Sequence, residues 1–302
     1  MRIVDPGRLF ATLAMLFVTS TLAHAGSLPL IADIPAHPAL WTVHSRSATA
    51  YLLGSIHLLP TNVRWRTPKL EAAMAASDVF VFEAPMDDSG KAATEEFMRE
   101  HGALPPDVAL PSLLDAQTLA DYDKALALTH VPPDTLTHTR PWVAGLILEV
   151  ALIGEEHYSP DSGVDRQVFA LAHREGKTVR YFETVDRQFS LLLPRNPKLE
   201  LAEFDATLKG LGTQADELGP LVDAWAHGNA DEVGKLVNAE LEADPAAKKT
   251  LLDNRTEAWA VQLNGMLAEH HTYFITVGAG HLAGPNGLSA LLRARGYRVD
   301  GP

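Results

Sequence analysis

The sequence predicts a mixed α/β domain in which a central β-sheet is flanked by helices. Three observations carry this. Short apolar, β-prone runs lie near both ends of the 302-residue chain, segments of helical period fill the middle, and two of the apolar runs end in the same G-x-x-H pattern. The expected organisation is one domain over residues 26–302. It has two pseudo-equivalent halves, each with a G-x-x-H strand end, and a large helical insertion between the third and fourth strands.

The elements follow in order. Residues 49–56 (TAYLLGSI) read as a buried strand ending at His57. A helix is expected over 68–76, where Pro68 falls at an early position that needs no N–H. Val79–Phe82 is a second buried strand, stopped by Glu83 and the breaker Pro85. Residues 87–110 read as a helix followed by a long connection. The segments 113–128, 141–153 and 164–175 each carry apolar residues at helical spacing. Thr178–Phe182 is the third strand and runs into Glu183. From 197 to 270 the pattern is helical, with breaks expected at 210–212, 219–220, 228–229 and 244–245. Thr272–Val277 is the fourth strand, followed by Gly278-Ala279-Gly280-His281. A helix over 288–295 and a short strand at 297–299 close the chain.

Composition narrows the chemistry. With 25 Lys+Arg against 38 Asp+Glu, the formal net charge is −13, and no dense basic cluster occurs. That excludes a nucleic-acid binder, because phosphate binding needs concentrated positive charge. The chain has no Cys, so disulfides, thiolate metal sites and a thiol nucleophile are absent. Arg2 and Arg8 precede an apolar run over 9–22 and the small-x-small site Ala23-His24-Ala25. This reads as a secretory signal peptide, residues 1–25, cleaved after Ala25. The run is shorter than the roughly 18–20 apolar residues a membrane anchor needs. The mature protein is therefore expected to be exported, periplasmic or secreted, with no stable membrane anchor.

The candidate site comes from the repeated pattern. Gly54-Ser55-Ile56-His57 and Gly278-Ala279-Gly280-His281 both follow apolar strands. In an open α/β sheet, ligands bind outside the carboxyl ends of the strands. His57 and His281 are therefore well placed to face a pocket, and Glu83 and Glu183 hold the same position on their own strands. Two histidines with one or two carboxylates make a divalent metal site or a His/Glu acid–base pair. Other histidines lack such a setting. His130, His138 and His157 sit in polar loops, and His270 and His271, being adjacent, point apart. Trp142, Trp225 and Trp259 read as core residues of amphipathic helices. Asp165 reads most simply as a first-turn carboxylate favoured by the helix dipole.

The chain resembles the TraB/GumN family. The likeness rests on Leu40-Trp41-Thr42-Val43, Tyr51–His57, Ala76-Ser77-Asp78 and Phe82-Glu83 in the first half. Arg140-Pro141-Trp142, Gly163-Val164-Asp165 and Glu183-Thr184 with Gln188 continue it through the middle. Arg255 with Trp259, Val277–Leu288 and Leu291–Val299 complete it. The family is related to the animal Tiki proteases and, more distantly, to erythromycin esterases and ChaN-like haem-associated proteins. Two positions depart from its pattern: Gly-Ser replaces the usual Gly-Thr in the first motif, and Arg255-Thr256 stands where the family has Arg-Asn.

The resemblance implies an exported metal-dependent hydrolase, a peptidase above all. His57, Glu83 and His281 would be the ligands of a divalent ion such as Mn, Co, Zn or Fe. Glu83, Arg255 and Glu183 would be catalytic, with Arg255 a fixed cation for an oxyanion or a substrate carboxylate. Asp165 would also face the pocket. The substrate would be a peptide or a small molecule. Two other functions fit the same residues: a metal-independent ester hydrolase using His/Glu acid–base chemistry, and a non-catalytic protein that binds haem, metal or peptide.

Overall fold

The structure, a computed structural model, describes residues 32–155, 158–211, 214–241 and 244–302. The expected signal peptide over residues 1–25 and His157 lie outside them. Six strands form the main sheet: β1 (Leu40–His44), β2 (Thr49–Ser55), β3 (Val79–Phe82), β4 (Thr178–Tyr181), β5 (Thr272–Gly278) and β6 (Arg298–Asp300). The principal helices are α1 (Pro68–Ala76), α2 (Asp88–His101), α3 (Ala116–Thr129), α4 (Pro141–Glu155), α5 (Val164–Arg174) and α6 (Val185–Ser190). They continue with α7 (Pro197–Gly210), α8 (Gln214–Ala226), α9 (Ala230–Leu241), α10 (Asn254–Met266) and α11 (Leu288–Ala294). The mixed α/β class and the sheet flanked by helices are as the sequence predicts.

The chain divides into two compact units. One contains Pro160–Thr184, Leu218–Pro302 and the described residues up to Pro85, and it holds the sheet. Its strand order is β6-β1-β2-β5-β3-β4. The four strands β2, β5, β3 and β4 are parallel, while β1 and β6 add an antiparallel edge. Each of the four parallel strands therefore delivers its following residue to the same end of the sheet. β2 and β5 are adjacent, with Ser55 level with Gly278, so the two G-x-x-H turns begin side by side.

Local chemistry explains these elements. Thr67 caps α1 by accepting from the Leu70 N–H, with Pro68 just inside the helix. All four residues of β3 (VFVF) are buried, as expected of a strand covered on both faces. On one face Trp41, Val43, Leu52, Val81, Tyr273 and Ile275 pack with Trp259, Leu263, Leu288 and Leu292 of α10 and α11. On the other, Phe82 meets Phe169 of α5 edge to face.

The second unit comprises Met86–Ser159 and Val185–Glu217. It is helical and has two apolar clusters. Leu110, Tyr122, Leu136, Leu148, Phe204 and Leu208 form one, and Phe97, Trp142, Leu146, Val185, Phe189 and Leu192 the other. Trp142 is thus a core residue, as its spacing indicates. Arg140 binds Glu200 through both carboxylate oxygens, at 3.1 and 2.6 Å, and Gln188 lies on α6. Among the described residues, no helix is long and apolar enough to cross a membrane.

Two expectations are corrected. The strand Leu40–His44 is not among the strands expected from the sequence, because it has only five residues and its partners, β2 and β6, lie at opposite ends of the chain. The break expected at 219–220 does not occur, since α8 runs through Pro220. The missing proline N–H removes a single intrahelical bond. Burial of Leu221, Val222 and Trp225 outweighs that loss.

Candidate active site

The site lies wholly in the sheet-bearing unit, at the carboxyl ends of β2, β3, β4 and β5. These strands are followed by His57, Glu83, Glu183 and His281 respectively. Gly278, the first residue of the second G-x-x-H turn, marks the meeting point. A methyl group replacing its hydrogen would lie 3.2 Å from Glu83 Oε1 and 3.6 Å from both His57 Nε2 and the His281 ring carbon Cδ2. The two rings thus approach to within about 7 Å at those atoms. The Gly278 N–H also donates to Glu83 Oε1 at 2.6 Å.

Each histidine has its orientation set from behind. His57 Nδ1 donates to Asp165 Oδ1 at 3.0 Å, and the Ser55 hydroxyl donates to the same oxygen at 2.6 Å. Asp165 stands in the first turn of α5, where the helix dipole favours a carboxylate. The start of that helix can approach only because residue 163 is glycine. A Cβ there would sit 2.3 Å from the His57 carbonyl oxygen. Burial would push the His57 imidazole down, but Asp165, supported by Glu83, outweighs it and the net shift is upward. His57 is the partly exposed member, with 12% of its side chain accessible.

His281 is sealed in. Its ring packs 4.3 Å from that of Trp259, and its Nδ1 lies 2.7 Å from Thr256 Oγ1. Nε2 is 3.4 Å from Arg255 Nη1. Burial and the Arg255 cation push its pKa down to about 3, so it is neutral at physiological pH.

Arg255 organises the carboxylates. It is 2% exposed and enters α10 directly after a π-helical turn over Lys249–Asp253. Its Nη2 donates to Glu83 Oε2 at 2.8 Å and to Glu183 Oε2 at 2.9 Å, while Nε donates to Glu183 Oε1 at 2.9 Å. The guanidinium also lies 4.8 Å from the Trp259 ring centroid, a cation–π contact. Trp259 Nε1–H donates to Glu183 Oε1 at 3.0 Å. Burial would raise the Glu83 carboxyl, but the guanidinium, together with the His281 and His57 rings and the Gly278 N–H, outweighs it and brings Glu83 to about 2.

The structure therefore brings His57, Glu83, Asp165, Glu183, Arg255 and His281 into one constellation. Glu183 contacts Arg255 and Trp259. Asp165 stands behind His57. The resemblance also singles out Gln188 and Arg140-Pro141-Trp142, which belong to the helical unit. Away from the site, His271 pairs with Asp78 at 2.5 Å and His138 with the Val108 carbonyl at 3.0 Å. Two members were given no role by sequence reasoning, although both stand where the chain departs from the family pattern: Ser55, which holds Asp165, and Thr256, which holds His281. Their signal is proximity in sequence, since each lies beside or within a motif already chosen. Among the described residues, no group of three or more His, Asp or Glu is arrayed as a finished metal shell. Glu83 gives one oxygen to Gly278 and the other to Arg255.

A family model described as the TraB/PrgY/gumN family matches residues 39–301. An uncharacterized protein of Treponema pallidum (strain Nichols) is 22% identical over 271 residues, covering 84% of this chain and 80% of its own. No solved structure matches the chain.

Proposed function

The chain belongs to the TraB/PrgY/gumN family, and on that premise we propose that it is an exported metal-dependent hydrolase acting on peptide bonds. The observation that carries this reading is the convergence of His57 Nε2, the His281 ring and Glu83 Oε1 around Gly278. His57 and His281 would hold a divalent ion through Nε2, with Glu83 as the carboxylate ligand. Such an ion supplies Lewis acidity, polarising a carbonyl and lowering the pKa of water. The donor set fits. Asp165 behind His57 is the carboxylate–histidine pairing that orients metal-binding imidazoles. Glu83 and Glu183 share the one guanidinium of Arg255 while Asp165 pairs with His57, so the ionised carboxylates leave negative charge for a cation to balance.

The chain's own groups have distinct roles. Asp165 keeps a proton on His57 Nδ1 and leaves Nε2 for the site. Glu83, depressed well below the usual carboxylate range, stays ionised as ligand or proton acceptor. Arg255 is a fixed cation for developing negative charge on the substrate, and Glu183 holds it in place.

One observation favours a second reading. Arg255 Nη1 stands 3.4 Å from His281 Nε2, so a cation already faces that nitrogen. Under this reading the protein is a metal-free ester hydrolase with His57 as the general base, its basicity raised by Asp165. The test is hydrolysis of peptide and ester panels by chelator-treated protein, before and after addition of Mn, Co, Zn or Fe. Activity restored by an ion supports the metallohydrolase. Full activity in chelator overturns it in favour of the metal-free reading. Export is tested separately: the secreted protein should begin at Gly26, and retention of residues 9–22 would overturn that.

A further inference from the structure

The geometry assigns Thr256 as a positioning residue that holds His281 in the Nδ1–H tautomer, so that the bare Nε2 faces the site. The Thr256 hydroxyl has a single proton, and it donates that proton to the Leu252 carbonyl at 2.8 Å. Toward His281 Nδ1, 2.7 Å away, Thr256 Oγ1 is therefore an acceptor, and Nδ1 must carry the proton. The opposite side of the ring demands the same. His281 Nε2 faces Arg255 Nη1 at 3.4 Å, and a guanidinium has only donors. A proton on Nε2 would set two donors against each other in a buried site, while Thr256 lost either its carbonyl partner or its imidazole.

Two neighbours on consecutive residues of α10 thus select one tautomer from opposite sides. Both are aimed by the turn before the helix, since Arg255 and Thr256 point back to the carbonyls of Leu251 and Leu252. The arrangement matches His57, where Asp165 is the acceptor for Nδ1–H. One imidazole is oriented by a carboxylate and the other by a hydroxyl. A neutral acceptor adds no negative charge beside His281, where Arg255 already faces Glu83 and Glu183.

The inference concerns this chain's own residues, and its consequence for metal affinity rests on the proposed function. The primary test is independent of metal. Two-bond 1H–15N NMR on histidine-labelled, metal-free protein reads the tautomer, with the His281 signals assigned by their loss in His281→Gln. Wild type should show a protonated Nδ1 and a bare Nε2. Thr256→Val, nearly isosteric, should shift the ring toward Nε2–H, and Thr256→Ser should restore the wild-type pattern. A wild-type spectrum with Nε2–H, or an unchanged tautomer in Thr256→Val, overturns the assignment. If Thr256→Val does not fold, Thr256→Ser and Thr256→Ala decide: rescue by Ser together with loss in Ala supports it, and equal spectra overturn it. Zn2+ titration of the same proteins adds the second arm, where Thr256→Val should lose about 10–100-fold in affinity and Thr256→Ser should not. No Zn2+ binding by wild type would sink the metallohydrolase reading and leave the tautomer result standing.

Discussion

Removing either partner of the Glu83–Arg255 pair has different consequences. Glu83→Gln keeps the volume but removes the charge, leaving Arg255 to Glu183 alone. Under the proposed function, activity falls by a factor on the order of 10²–10⁴, the range for losing a general base. A strand-end carboxylate facing an open pocket would have been dispensable for stability, but Glu83 is 5% exposed and ion-paired. Glu83→Gln is therefore expected to lower the urea midpoint as well. Arg255→Lys should be worse. A lysine cannot bridge two carboxylates with a rigid fork, and two buried carboxyl groups would be left poorly paired. The expected loss is about 3–5 kcal/mol by chemical denaturation, the cost of breaking a buried pair from one side. A loss under about 1 kcal/mol would show that Arg255 is not the linchpin of the carboxylate cluster.

At the scale of elements, the site depends on how closely α5 approaches the turn after β2. The Val164 N–H donates to the Ile56 carbonyl at 3.1 Å, and Gly163 lies against the His57 carbonyl. Gly163→Ala would place a methyl 2.3 Å from that oxygen and 2.9 Å from the Pro160 carbonyl. Both obstacles are backbone, so the helix start must move and Asp165 with it. The expected cost is about 1–3 kcal/mol, typical of overpacking. His57 should also titrate at lower pH by NMR, because its carboxylate partner is displaced. An Ala variant with wild-type stability and an unchanged His57 titration would contradict this account of the helix approach.

For the whole molecule, the acid limb of stability carries the signature of the site. Glu83 ionises at about 2 in the folded protein against an ordinary value of 4.5. A carboxyl whose folded pKa is lowered contributes stability above its unfolded pKa, and that contribution is lost as pH falls through the folded value. Asp78, held down by its hydrogen bond to His271, acts in the same direction. His281, held at about 3 in the fold against an ordinary 6.5, adds a loss that begins below about pH 6.5. Wild type should therefore lose stability from there and further between about pH 4.5 and about pH 2. Urea midpoints measured across this range for wild type and Glu83→Gln should converge as the pH drops. A difference that stays constant would mean that the Glu83 charge contributes nothing to folding.

By itself the sequence determined the fold class, most element positions and the residues His57, Glu83, Glu183 and His281. It could do so because strands and helices write their burial into local periodicity, and a residue directly after a parallel strand must emerge at the sheet's carboxyl edge. The Pro68 start of α1 and the VFVF run of β3 were legible for the same local reason. Only the tertiary structure decided that β5 inserts between β2 and β3, which sets Gly278 level with Ser55 although 223 positions separate them. Strand order depends on pairing free energies between distant segments, which leave no periodic trace in either segment. The partners of Arg255 were hidden likewise, since Glu83 and Glu183 lie 172 and 72 residues away. So were the groups that stand behind the two histidines. The proton on an imidazole is placed by whichever acceptor the fold sets behind it: Asp165 for His57 and Thr256 for His281.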